Sequence, residues 1–114
     1  MSITYHIVAG EYFRDCDSTA PYTPEGFADE GFIHCTDGEQ HVADTANRYY
    51  RDEQRMFIVL VIEKDLVSAE IRYEGPARIY PHIYGPLNRD AIVTVLPLLR
   101  EADGSFVPPK PPSP

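Results

Sequence analysis

Three of the four histidines, His6, His34 and His82, fall in segments that read as short β-strands. Imidazole is the usual acid–base and hydrogen-bonding group near neutral pH. Taken singly, each also fits a strand histidine that donates to a nearby carbonyl. Three of them at the ends of short elements point to a shared cleft. His6 is out of step with the apolar residues Ile3, Tyr5 and Ile7; His34 interrupts an apolar run one residue before a strand-to-helix turn; His82 sits in the aromatic cluster Tyr80, His82, Tyr84. Arg72 and Glu74 share one strand face by the period of two, which also fits an exposed ion pair with neighbouring charges. A metal centre is not expected. His34 and Cys35 are adjacent in a strand and point to opposite faces, and no CxxC, HxxxH or HxH spacing occurs. The same geometry denies Cys35 its neighbour as a base. Nucleotide-fold fingerprints and hydrolase elbows are missing from the sequence.

The elements that must position these residues follow from periodicity and punctuation. Residues 3–9 alternate as a strand ended by Gly10. Residues 11–15 suit one helical turn, and 24–30 a short helix with Pro24 in its first turn and Gly31 as its stop. Residues 31–35 form a second strand. Thr36 then matches a helix N-cap, with Glu39 completing a capping box. A helix end beside a strand end also suits a phosphate. The helix runs to about Arg51, with Val42, Ala46, Tyr49 and Tyr50 on its apolar face. The continuous apolar run 56–63 predicts a strand buried on both faces. Residues 70–74 and 78–84 are strand-like, Pro81 confining the latter to an edge or breaking it, and 91–96 reads as another buried strand. The order predicts an α+β domain with two small, mostly antiparallel sheets, one long helix and one or two short ones.

Composition bounds the partners. The 114 residues carry a net charge of −8, so no basic surplus exists for long nucleic acids or anionic membranes. Residues 1–57 hold eleven acidic and four basic residues, and 58–114 hold seven and six, so the second half is nearly neutral. Two cysteines are too few for a disulfide framework, and neither a leader nor an 18-residue apolar run is seen, so a cytoplasmic protein is expected. A single domain over residues 1–104 is expected, followed by an extended or disordered tail over 105–114. Five of the eleven prolines lie in the last eight residues.

Two segments carry a resemblance. Gly31-Phe32-Ile33-His34-Cys35-Thr36 resembles the "DGFIHLS" motif, and Pro81-His82-Ile83-Tyr84-Gly85-Pro86-Leu87 the "PHLYGPL" motif, of the small bacterial family domain of unknown function 952. Tyr5-His6-Ile7 and Ile71-Arg72-Tyr73-Glu74 are similar to its "YKI" and "LRWE" elements. The likeness covers residues 3–97. That family is similar to a minimal ADP-ribosyltransferase fold related to RNA 2′-phosphotransferases. The resemblance implies a cleft for NAD or ADP-ribose and ADP-ribosyl or phosphate transfer. It makes His34 and Glu74 catalytic, and puts His6, Thr36, Arg72, His82 and Tyr84 on the substrate, with Arg72 meeting negative charge and Tyr84 stacking on a ring. The chain departs from the related motif "HGT", since Ile7-Val8 follow His6. This leaves the alternative of a non-catalytic ligand-binding or protein-interaction module.

Overall fold

In a computed structural model that describes residues 2–110, strands β1 (Ile3–Ala9), β3 (Phe57–Glu63) and β6 (Ile92–Pro97) form one antiparallel sheet in the order β1-β3-β6. Strands β2 (Ile33–His34), β5 (Tyr80–Tyr84) and β4 (Glu70–Glu74) form a second, in the order β2-β5-β4. Helices α1 (Gly10–Asp15) and α2 (Phe27–Glu30) fill the connection from β1 to β2, and α3 (Glu39–Tyr49) leads into β3. This is the expected α+β arrangement of two small antiparallel sheets with one long helix.

The apolar run that ends in β3 earns its place at the sheet centre. Val59 and Val61 face α3, packing with Tyr5, Val42, Ala46 and Phe106. Leu60 and Ile62 face the other way and meet Ile33, Cys35 and Ile83 of the second sheet, with Tyr22 and Leu87. The two sheets are joined where Tyr5 of β1 and Thr36 exchange backbone hydrogen bonds of 3.0 and 2.8 Å. Cross-strand partners lie on one face, so alternation puts Thr36, His34 and Tyr5 together on the α3 side. Ile33 and Cys35 turn to the opposite, enclosed side.

That junction corrects the expected cap. Thr36 spends its backbone on Tyr5, and Gly38, with a φ of 88°, flanks the start of α3 with no side-chain cap. Glu39, expected to close a capping box, instead accepts the Tyr5 hydroxyl at 3.0 Å.

Two strands also differ from expectation. β5 is the middle strand of its sheet despite Pro81. Cys35 N–H donates to Pro81 O at 3.0 Å, and only the reciprocal bond, which would need a proline N–H, is lost. The buried pyrrolidine ring compensates by packing inside. β6 is an edge strand rather than a buried one, with Val93 and Val95 exposed, because the second sheet covers only part of the first.

The packed chain runs past residue 104. Phe106 is buried beneath the Arg100 guanidinium, which lies 4.1 Å from its ring centroid, and its N–H donates to Asn47 of α3. Of the proline-rich end, residues 111–114 lie outside the described residues. Among the described residues no helix is long and apolar enough to cross a membrane.

Candidate functional site

The outer face of the second sheet and the flank of α3 enclose a cleft of 710 Å³. This is within the range of small-molecule sites. The sheet contributes His34, Thr36, Glu74, Tyr80 and His82, and the helix contributes Asp44, Thr45, Arg48 and Tyr49, with Tyr50 just beyond its end.

Strand register explains the sheet wall. His34 and His82 are cross-strand partners, as are His82 and Arg72, and Tyr80 and Glu74. The imidazoles of His34 and His82 meet edge to face with centroids 5.1 Å apart. Phe32 stacks on His82 at 4.2 Å, within 5° of parallel. Burial lowers the pKa of His82, and the nearby His34 lowers it further, against the opposing pull of Glu74 and Glu30. Its Nδ1 is out of solvent and, among the described residues, has no hydrogen-bond partner, and the same holds for Thr45 Oγ1 across the cleft. Such groups are rare in folded proteins and are cheapest where a ligand or water completes them.

His34 has a different setting. Its ring is more than half exposed, and Nε2 donates to Glu30 Oε2 at 2.7 Å. Neutral His34 therefore carries its proton on Nε2 and keeps a free lone pair on Nδ1, the arrangement of a base oriented by a carboxylate. Glu74 Oε1 accepts the Tyr84 hydroxyl at 2.8 Å.

The expected site residues separate into three groups. His34, Thr36, Glu74 and His82 line the cleft. Arg72 and Tyr84 lie on the same sheet but outside that lining. Arg72 pairs with Glu70 at 3.0 Å, and its guanidinium sits 5.2 Å from the Tyr84 ring centroid. His6 lies on the enclosed side. Its Nδ1–H donates to His34 O at 2.7 Å, because a carbonyl only accepts, and its Nε2 accepts the Tyr22 hydroxyl at 2.8 Å. Burial pushes its pKa down to about 4. His6 thus reaches His34 through the backbone and holds β2 in place. It also borders a smaller cavity of 160 Å³ that shares His34, Thr36, Thr45 and Tyr50 with the main cleft.

The helical wall was not anticipated. Tyr49, expected on the buried face of α3, is 68% exposed and lines the cleft; the buried stripe is Val42, Ala43 and Ala46. The spacing Asp44, Thr45, Arg48, Tyr49 marks a second helical face, of which periodicity alone reads Asp44 and Arg48 as solvated and Tyr49 as buried. Cys35 is buried, and burial raises its thiol pKa, which removes it as a nucleophile. Among the described residues no group of three or more His, Cys, Asp or Glu side chains is placed to hold a metal ion.

The fold and cleft define a class: an α+β domain of two three-stranded antiparallel sheets with a histidine-bearing, tyrosine-rich cleft between one sheet and the long helix. Within that class the chain belongs to the DUF952 family, described as a protein of unknown function, whose model matches residues 7–95. The chain is similar in fold to the crystal structure of protein CC0527 from Caulobacter crescentus, with a TM-score of 0.77, 19% identity, and coverage of 93% of this chain and 94% of that one. It is likewise similar to the solution NMR structure of CC0527, at TM-score 0.71 and 20% identity, covering 91% and 90%. No curated protein matches the sequence significantly.

Proposed function

We propose that the cleft binds a nucleotide of the NAD or ADP-ribose class and supports ADP-ribosyl transfer. One observation carries this reading: His34, Thr36, Glu74 and His82, singled out in the sequence for such chemistry, line one cleft that also holds three tyrosines. Aromatic rings suit a base, and hydroxyl and imidazole groups suit ribose oxygens. The motifs at residues 31–36 and 81–87 carry the resemblance to the DUF952 family, and through that family's own resemblance to an ADP-ribosyltransferase fold they point to the same ligand class.

In this reading the C1′–N bond of NAD breaks and its electron pair leaves with nicotinamide. Glu74 stabilises the developing positive charge on the ribose, as a carboxylate does in glycoside cleavage. An acceptor hydroxyl bonds to C1′ and gives its proton to His34 Nδ1, while Glu30 holds the opposite edge of the ring. Tyr84 positions Glu74 through its hydrogen bond, and His6 positions His34 through its carbonyl. Titration calorimetry with NAD and ADP-ribose tests the reading. Saturable binding below millimolar ligand supports it, and no heat at millimolar ligand defeats it.

One observation favours a second reading, a binder without turnover. Glu74 is already bonded to Tyr84, and His34 to Glu30, so neither group needs a reaction to explain its placement. Binding of NAD without nicotinamide release would select it.

A further inference from the structure

We propose that Arg48 of α3 is the anion anchor of the cleft, so that its ligand carries a phosphate or diphosphate that docks on the helix wall, away from Arg72. This rests on the nucleotide reading above and fixes which end of the ligand faces the helix. Of the residues that line the cleft, Asp44, Arg48 and Glu74 carry fixed charges. Both carboxylates are engaged: Asp44 accepts from Gln40 at 3.1 Å, and Glu74 from Tyr84 at 2.8 Å. Arg48 has no ion pair or side-chain hydrogen bond among the described residues, although Asp44 stands one helical turn before it. Gln40 and His41 draw the Asp44 carboxylate toward the start of the helix and leave the guanidinium free.

Arg72, by contrast, is occupied by Glu70 and the face of Tyr84 and lies outside the cleft lining. A guanidinium without an ion pair, in a lining whose two carboxylates already accept hydrogen bonds from Gln40 and Tyr84, suits a bidentate phosphate. Thr45, one helical turn short of Tyr49 on the same wall, adds its unpartnered hydroxyl. The overall charge of −8 keeps polyanions away, while one local cation still admits a single nucleotide.

The test compares the intact wild-type chain with Arg48→Ala, Arg48→Lys and Arg72→Ala by calorimetry, using ADP-ribose, adenosine and inorganic phosphate. Arg48 is an exposed helix residue, and unchanged thermal unfolding will verify that its variants fold. Expected is about a tenfold or greater loss of ADP-ribose affinity in Arg48→Ala, a smaller loss in Arg48→Lys, and equal adenosine binding in all chains. Inorganic phosphate should compete with ADP-ribose in the wild type and not in Arg48→Ala. Wild-type affinity for ADP-ribose retained in Arg48→Ala, or lost only in Arg72→Ala, overturns the Arg48 assignment and leaves the nucleotide reading intact. A wild-type chain that binds neither ADP-ribose nor adenosine overturns both.

Discussion

His34 and His82 face each other across the β2–β5 ladder, the edge of one imidazole against the face of the other with centroids 5.1 Å apart. The two rings share a wall but not a role. His34 is turned out to solvent and held by Glu30, while His82 is stacked against Phe32 and loses contact with water at Nδ1. Two imidazolium ions at this distance would repel each other, so a charge on His34 disfavours one on His82. Burial acts on the His82 ring in the same direction.

That asymmetry can be read by NMR titration of the ring protons. His82 should titrate below the ordinary histidine value, because burial first and His34 second disfavour its cation. In His34→Gln the His82 value should rise but stop short of 6.5, since burial remains. An unchanged His82 value in that variant would remove His34 as a cause.

His6 makes stability depend on pH. Its folded value of about 4 lies below the unfolded value of 6.5. Between these values the unfolded chain binds the extra proton, so stability is full above about pH 6.5 and falls as the pH drops toward 4. The full difference corresponds to about 3 kcal/mol. His6→Gln, which keeps a polar side chain without a titratable ring, should be less stable at pH 7 by about 1–3 kcal/mol and should lose less on acidification. Urea unfolding of both chains from pH 7 to pH 4 measures the difference; parallel pH curves would exclude His6 as the source.

Most elements were legible in the sequence because their signals are local. The branched run at 57–63 declares a doubly buried strand, and Gly31, at φ 79°, is the stop expected for α2. Thr36 misled because a capping box and a strand-to-strand junction use the same residue types, and the Tyr5 bridge that decides between them is 31 positions away. Pro81 misled because its cost depends on which single ladder bond is lost. The sheet half of the site was visible through alternation in β5 and the motif at residues 31–36. The helix half was not, since Arg48 looks like a solvated residue and Tyr49 like a core residue until the second sheet is folded across from them.

Phe106 lies beyond the last predicted strand yet packs into the core between α3 and β3. Its ring meets Phe57 edge to face at 6.1 Å, and its backbone is tied to Asn47. Phe106→Ala should cost about 3–5 kcal/mol through the cavity it leaves. That is a large share of the stability of a domain this size. A shift in the urea midpoint with an unchanged slope will register it. A cost below about 1 kcal/mol would mean that the C-terminal segment does not belong to the core in solution.

Glu74 separates enzyme from binder. Among the described residues its carboxylate is the one acidic group on the sheet wall of the cleft, and Tyr84 fixes one of its oxygens. If it stabilises positive charge that exists only in the transition state, Glu74→Gln should lower nicotinamide release from NAD by about 100-fold or more. Affinity for ADP-ribose, which carries no such charge, should change little. Tyr84→Phe should give a smaller loss of the same kind, because the carboxylate remains but loses its anchor. If Glu74 instead serves ground-state binding, the Gln variant will weaken ADP-ribose directly. A wild-type chain that binds NAD without releasing nicotinamide places Glu74 and Tyr84 in the binding wall alone. Rate and affinity measured on the same two variants therefore assign the carboxylate, since only a catalytic role moves the first and spares the second.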